Sequence, residues 1–316
     1  MRLNHQQILR TALIVLPALV FMAGFAGADE TEDSDQWKSA LPLAEEGNAL
    51  AQCELGQLIM RGRDAHHSKK EAAGWFFKAS EKDALCGLLA MGDMTRQGIG
   101  TRRDEKVTFD YYRRALPQVE ALARGGDVQM MIQAGKMYQR GWGTDANLES
   151  AGRWNILAAR YLEPLVVAGN VDAHKKLGNI LIVGIGVPRD VIRAGQLYEA
   201  AAQTGDRTGQ FLAGLMWFKG RAGHPVDHAR GFRWLFHAAE QDHPRSQFLV
   251  GTGFAEGLGT DVDVAEAAMW LKLALDRGYS NAKAALEELG DGQKVKDGIA
   301  AADLWLPIFE RPDANS

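Results

Sequence analysis

The stretch AHKKLGNILIVGIGVPRDVIRAGQLYEAAA, residues 173–202, contains the pattern that decides the fold. Leu177-Gly178 is followed six residues later by Gly184, and Asp190 stands twelve residues after Gly178. Glycine adopts the left-handed conformation that ends a helix without steric cost, and aspartate is a preferred N-cap residue. The pattern therefore predicts one helix that ends near Gly184 and a second that begins at Asp190.

The same pattern occurs six times along the chain. The period of 36 to 43 residues indicates a repeat architecture, and its first glycines are Gly56, Gly92, Gly135, Gly178, Gly214 and Gly251. Residues suited to capping the second helix follow in every copy, namely Ser68, Asp104, Asn147, Asp190, Asp227 and Asp263. Each second helix carries a large residue, usually Trp, and an alanine four positions later, which predicts a face that packs closely against a neighbouring helix.

This pattern, A-x-x-x-L-G-x-x-[YI]-x-x-G-x-G…D-x-x-x-A-x-x-W-x-x-x-A-A, resembles the Sel1-like repeat, a relative of the tetratricopeptide repeats. Tyr111 and Leu197 depart from it at the Trp position. The resemblance implies an all-α fold, a right-handed α/α solenoid of six helix-turn-helix repeats with helical caps, whose first helices line a concave face. We place the solenoid at residues 37–309, with repeats at 48–83, 84–126, 127–169, 170–205, 206–242 and 243–278 and a closing cap at 279–309, whose two helices we expect at 281–289 and 299–309.

Two of the repeats are 43 residues long and differ from the others in their second helices. Seven extra residues add about two helical turns. Pro117 and Pro164 lie inside these stretches. We therefore expect longer second helices there, kinked at the prolines.

The first 28 residues have the three-part pattern of a secretory signal peptide. Arg2 and Arg10 precede an apolar run from Leu13 to Phe25, and Ala26-Gly27-Ala28 follows it. We predict cleavage after Ala28, a periplasmic or secreted protein and no membrane span after cleavage. The rival hypothesis is an uncleaved anchor, because residues 11–28 come close to the length of a spanning helix. Residues 29–36 are predicted to form a short linker and residues 310–316 a disordered tail.

Composition excludes several classes of function. A chain of 316 residues with 46% hydrophobic residues predicts a folded protein, and its net charge of −4 argues against a nucleic-acid partner. No phosphate-binding loop or dinucleotide-binding fingerprint is present in the sequence. We therefore predict no cofactor.

Three groups of residues raise the alternatives of catalysis, a metal site or a disulfide. Ser280 and Lys283 form the one S-x-x-K of the chain, a feature of serine β-lactamases, but without the companion motifs. Cys53 and Cys86 lie on neighbouring first helices, and the sequence leaves open whether they are bridged. A metal site is the less favoured reading of four histidines in the fifth repeat, His224, His228, His237 and His243.

The resemblance implies a protein-binding role rather than catalysis. We predict no catalytic residues and a non-enzymatic adaptor or regulator in the bacterial periplasm, whose partner is a membrane sensor or an envelope assembly component. The alternative is a cell-wall-active protein, either β-lactamase-like or peptidoglycan-binding.

Transfer of the ligand-facing positions of tetratricopeptide repeats predicts an apolar patch on repeats four to six, Ile182, Val183, Phe211, Leu215, Phe218, Lys219, Arg245 and Phe248. The same transfer gives a polar patch on repeats two and three, Asp93, Arg96, Gln97, Gln129, Lys136 and Arg140. Burial of the phenylalanines between repeats is the alternative for the apolar patch.

Overall fold

The computed structural model describes residues 30–61 and 68–307, and this part of the chain forms fifteen α-helices and no strand. A short 3₁₀ turn, Arg221–Gly223, follows the tenth helix. The helices are α1 Glu30–Glu45, α2 Ala49–Arg61, α3 Lys69–Ser80, α4 Leu85–Gln97, α5 Glu105–Arg124, α6 Val128–Arg140, α7 Leu148–Val167, α8 Val171–Val183, α9 Val191–Gln203, α10 Arg207–Lys219, α11 His228–Glu240, α12 Pro244–Glu256, α13 Val264–Asp276, α14 Asn281–Glu288 and α15 Gln293–Asp303.

Helices α2 to α13 form the six predicted pairs. The even-numbered helices α2 to α12 are the first helices, and the odd-numbered helices α3 to α13 are the second. The chain divides into two compact units, Met1–Trp154 and Asn155–Ser316, and each is described by itself. In the described residues, no helix has the length and apolar character needed to cross a membrane.

The residues predicted to cap the second helices do so in all six repeats. The Asp190 carboxylate accepts the backbone N–H of Arg193 at 2.9 Å. Such a bond satisfies one of the helix's unpaired N–H groups and contributes about 1 kcal/mol. Equivalent bonds are made by Ser68, Asp104, Asn147, Asp227 and Asp263.

The paired glycines end the first helices and let repeats approach each other closely. Gly141 caps α6 with φ 68° and Gly143 follows with φ 72°. A Cβ on Gly143 would collide with the backbone of Tyr112 and Arg113 in α5 of the preceding repeat. Glycine is therefore required at this position both for its backbone conformation and for its lack of a side chain.

The large residue that packs on the repeat glycine is one position later than the predicted Trp. A Cβ on Gly178 would lie 2.6 Å from the Tyr198 ring, and one on Gly92 would lie 2.9 Å from the Tyr112 ring. Of the tryptophans at the predicted position, Trp270 is 2% exposed, whereas Trp75, Trp154 and Trp234 are only half-buried. A buried ring therefore lies one residue after the predicted position in repeats one, two and four and at that position in repeat six, whereas the rings of Trp154 and Trp234 in repeats three and five are only half-buried.

The two longer second helices are present. Helices α5 and α7 have 20 residues each and continue through Pro117 and Pro164. The other second helices have 12 or 13 residues, α3, α9, α11 and α13.

Both ends of the described chain differ from prediction in detail. Helix α1 begins at Glu30, so most of the predicted linker 29–36 is helical, which fits the acidic sequence there because acidic residues favour a helix start. The last closing helix spans Gln293–Asp303 instead of residues 299–309. Its Gly298 packs against the Ala265 carbonyl, which brings α15 close to α13. The predicted signal peptide and the tail 310–316 lie outside the described residues.

A disulfide joins Cys53 in α2 to Cys86 in α4. Their Cα atoms are 6.1 Å apart, within the range that a disulfide requires. Both cysteines are buried. The first helices of repeats one and two are therefore covalently linked.

Candidate protein-binding surface

The polar patch predicted on repeats two and three reaches the surface of α4 and α6. Lys136 and Arg140 are exposed, and the side chains of Asp93 and Arg96 retain 23% and 36% of their accessible surface. All four residues lie in the first unit. The patch can therefore meet a partner without rearrangement of the helices.

Tyr112 of α5 contacts this patch from the core of the protein. Its ring fits against Gly92, where a Cβ would collide with it. The ring is fully buried, and its hydroxyl donates to Asp93 Oδ1 at 2.9 Å. A tyrosine in the core thus fixes a carboxylate at the surface.

Arg96 is held in place by a carboxylate and an aromatic ring. Its Nη2 donates to Asp93 Oδ1 at 2.9 Å. Its guanidinium carbon lies 4.8 Å from the centre of the Trp142 ring, and that ring stacks on Tyr112 at 5.1 Å with 10° between the planes. Cation–π contacts of this kind fix the guanidinium plane. We call Asp93, Arg96, Tyr112, Lys136 and Trp142 the charged cluster.

The pKa values in the charged cluster follow from burial and from Asp93. Burial, reinforced by the Asp93 charge, raises the pKa of Tyr112 far above its ordinary range, so the phenol remains a donor. Burial lowers the pKa of Arg96, but its interactions with Asp93 and Tyr112 outweigh this, and the net pKa is raised. Desolvation by the surrounding protein lowers the pKa of Lys136 although its side chain reaches the surface, and the Asp93 carboxylate opposes that shift.

Two predicted glutamines flank the charged cluster. Gln97 is exposed and its side-chain amide donates to the Asp93 carbonyl at 3.3 Å. Gln129 is half-buried at the start of α6. Their amides add hydrogen-bonding capacity beside the charges.

The apolar patch predicted on repeats four to six is not an exposed patch. Phe211, Leu215 and Phe218 are 6%, 9% and 4% exposed and belong to the hydrophobic core of the second unit. The Phe211 ring packs against His243 at 4.4 Å, and the Phe218 ring packs against His228 at 5.2 Å. The prediction that these three side chains face a partner is therefore wrong, because the second helix of their own repeat and the next repeat enclose them.

The other members of that patch are scattered. Val183 is 45% exposed, Ile182 is half-buried, and Lys219 is exposed at the end of α10. Arg245 is exposed and lies over the Phe211 ring at 5.1 Å. Phe248 is half-buried and packs on Tyr279 at 5.1 Å. They do not form a continuous apolar surface.

The four histidines of the fifth repeat have separate structural roles. His224 is buried edge-on against Trp217, and His237 faces Glu240 at 3.6 Å. His243 caps α12, where its Nδ1 accepts the Ser246 N–H at 3.2 Å. Among the described residues, no group of three or more His, Cys, Asp or Glu side chains is arranged to hold a metal ion.

Ser280 and Lys283 lie on the surface at the start of α14. Ser280 is exposed, and its side chain makes no capping hydrogen bond, contrary to the usual role of serine there. The Lys283 side chain is 71% exposed, and its ammonium lies 3.9 Å from Glu287 Oε1. This arrangement lacks the enclosed geometry that activates a serine nucleophile.

Sequence reasoning missed the two aromatic residues that organise the charged cluster. Tyr112 directly follows Tyr111, the residue aligned with Trp in the repeat pattern. Trp142 lies between the two glycines of Gly141-Trp-Gly143. A large aromatic residue inside that tight turn was the available signal.

The model of the Sel1 repeat family matches this chain six times, at residues 49–83, 87–116, 128–160, 171–206, 208–243 and 244–279. The chain belongs to the Sel1 repeat family. Its fold class is thus an all-α solenoid of six repeats with flanking helices. Sel1 repeats typically form protein-interaction scaffolds.

The chain is similar to known proteins from several organisms. A Sel1 repeat protein from Oxalobacter formigenes is 25% identical, with 83% of this chain and 82% of that one covered and a TM-score of 0.42. A protective antigen with an SLR fold, from uropathogenic Escherichia coli, is 23% identical over 86% of this chain and 60% of that one, also with a TM-score of 0.42. The chitin synthase regulator SKT5 of Malassezia restricta is 27% identical over 164 residues, which are 49% of this chain and 11% of the regulator. The chain thus spans only about a tenth of that curated relative.

Proposed function

We propose that this Sel1 repeat protein is a non-enzymatic adaptor or regulator that binds a protein partner on the surface formed by α4 and α6. The observation that carries the proposal is the charged cluster, in which Arg96 is fixed by Asp93 and Trp142 while remaining partly accessible. A group held in its binding orientation before the partner arrives loses little conformational entropy on binding. Arginine and tryptophan are also the residues that most often dominate protein interfaces.

We further propose that the protein acts in the bacterial periplasm, on a membrane sensor or an envelope assembly component. The signal-peptide pattern of residues 1–28 supports export. The Cys53–Cys86 disulfide supports it as well, because disulfides persist in oxidising compartments. Export predicts a mature protein that begins at Asp29, which an intact-mass measurement of periplasmic extract tests. A protein beginning at Met1 would contradict it.

Site-specific photo-crosslinking in the native host tests the binding surface. A photoreactive amino acid replaces Gln97 or Arg140, which are exposed on α4 and α6, and in the control it replaces Arg113, which is exposed on α5. We expect one shared partner from the two first-helix positions and none from Arg113. Crosslinking of that partner at Arg113 alone would move the binding surface to the second helices and contradict the proposal.

A further inference from the structure

The charged cluster contains more positive than negative charge. The Asp93 carboxylate accepts hydrogen bonds from both Arg96 and Tyr112 through the same oxygen. It is also the one group that favours the charged form of Lys136. The charged cluster therefore has two cations and one carboxylate, and a further anion beside them would gain favourable Coulomb energy.

Arg96 has donor capacity that the described residues do not use. Its Nε atom has no hydrogen-bond partner among them but is buried, so a ligand would meet the guanidinium at the part of the side chain that remains accessible. A guanidinium presents its donors in a rigid planar fork that matches the two oxygens of a carboxylate. The stacked Trp142 ring holds that plane in position.

The fourth repeat shows that the fold does not need charge at this place. There Tyr198 packs on Gly178 and donates to Asn179 Oδ1 at 2.9 Å, as Tyr112 does to Asp93. A neutral amide thus satisfies the buried tyrosine equally well. At the position of Arg96, the fourth repeat carries Ile182. The ion pair of the second repeat is therefore an addition to the repeat's structural requirements.

From these contacts we infer that Arg96 and Lys136 together bind a carboxylate side chain in an acidic segment of the protein partner. The inference rests on the proposed function and specifies the chemistry of its ligand. The two cations lie on neighbouring first helices, α4 and α6, so the acidic segment crosses from the second repeat to the third. Charge complementarity of this kind fixes the register of a bound segment and speeds its association.

Fluorescence anisotropy with a labelled hexaglutamate peptide tests this chemistry on the full chain. We expect the wild-type protein to bind hexaglutamate and not the matched hexaglutamine peptide. Replacing Arg96→Gln together with Lys136→Gln is expected to weaken binding by about tenfold or more, the size typical of hydrogen bonds to charged groups. The control, Lys106→Gln with Arg113→Gln on α5, changes the net charge equally and should bind as wild type does.

Single and paired variants separate a binding effect from unfolding. Lys136 is exposed, so Lys136→Gln leaves the fold intact and should by itself weaken hexaglutamate binding. Equal binding by wild type and the double variant would overturn the inference, as would an equal loss in the α5 control. If hexaglutamate does not bind while Gln97 and Arg140 still crosslink the partner, the carboxylate inference fails and the proposed function stands. Without those crosslinks, the proposed function itself fails.

Discussion

Helices α4 and α10 occupy the same place in repeats two and five, yet side chains at matching positions differ in exposure to solvent. One and four residues after the repeat glycine, α4 carries Asp93 and Arg96, and α10 carries Leu215 and Phe218. The charged pair reaches the surface. The apolar pair is buried, with Phe218 only 4% exposed.

The difference shows that the position within a repeat sets the direction of a side chain but not its exposure. Charged groups must keep water or a partner, so the Asp93–Arg96 pair remains accessible. Apolar groups gain about 25 cal/mol for each Å² removed from water, and in the fifth repeat that enclosure comes from its own second helix and from the sixth repeat. His228 and His243 contribute rings that cover Phe218 and Phe211. A surface map transferred from related repeats therefore marks candidate positions, and the packing around each position decides whether its side chain is exposed.

The largest expected effect on stability comes from truncating the buried phenylalanines of α10. Phe211→Ala combined with Phe218→Ala should destabilise the second unit, since each core phenylalanine lost costs about 3–5 kcal/mol. Chemical denaturation followed by helical circular dichroism measures this loss. The exposed neighbour Lys219→Ala serves as the control and should change stability little. If the double variant kept normal stability but lost partner binding, the two phenylalanines would belong to the interface.

The disulfide is expected to have the next largest effect, on the first unit. Cys53 stands three residues before its repeat glycine and Cys86 six residues before the next one. These positions are equivalent to Phe248 and Arg245 of the sixth repeat, which were predicted to face a partner, and in repeats one and two they carry a covalent link instead. Replacing Cys53→Ala and Cys86→Ala should cost about 3–4 kcal/mol, because the bridge restricts the unfolded chain. Urea unfolding measures the loss, and reductant should destabilise wild type but leave the double variant unchanged. A wild-type protein insensitive to reductant would contradict the role of the bridge.

Local signals in the sequence were sufficient for the helices of the repeats. Helix ends depend on residues within one turn, so Gly184 and Asp190 could be interpreted without knowledge of the rest of the chain. The closing helix α15 was misplaced because Gln293 has no capping signal before it and its packing on α13 depends on Gly298, a tertiary contact.

The candidate site was predictable only in part. Asp93, Arg96 and Lys136 were identified from register, because surface charge on a first helix is visible in the sequence. The aromatic support from Tyr112 and Trp142 was not, since it joins residues 30 positions apart through two helices and a turn. Burial of Phe211 likewise depends on a histidine in the next repeat.

His243 should make the stability of the second unit decrease at acidic pH. Burial, with the charges of Arg207 and Arg245 adding to it, lowers the pKa of His243 to about 3 from an ordinary value near 6.5. Between these values the unfolded chain binds a proton that the native protein does not, so stability is lost as pH falls below about 6.5. From pH 7.5 to 5.0 the contribution is about 1–2 kcal/mol.

Urea midpoints at the two pH values measure this effect. His243→Asn keeps a capping side chain and should lose less stability on acidification than wild type, although it is less stable at pH 7.5 because Phe211 loses a ring contact. Parallel pH profiles for the two proteins would contradict the assignment.

The smallest expected effect on stability comes from replacing Asp93 of the charged cluster. Asp93→Asn should change the free energy of unfolding by less than about 1 kcal/mol, because the Asp93–Arg96 pair keeps contact with water and such pairs contribute little, and because an amide accepts the tyrosine hydrogen bond in the Asn179–Tyr198 pair. The same variant removes the one carboxylate that competes for Arg96 and Lys136, while Trp142 still orients the guanidinium. We therefore expect hexaglutamate to bind more tightly to Asp93→Asn than to wild type.

The reciprocal variant Asn179→Asp in the fourth repeat, where Ile182 replaces the arginine, should leave binding unchanged. A large loss of stability in Asp93→Asn would assign the carboxylate to the folding of repeat two, and weaker peptide binding would show that the ion pair itself orients Arg96 for its ligand.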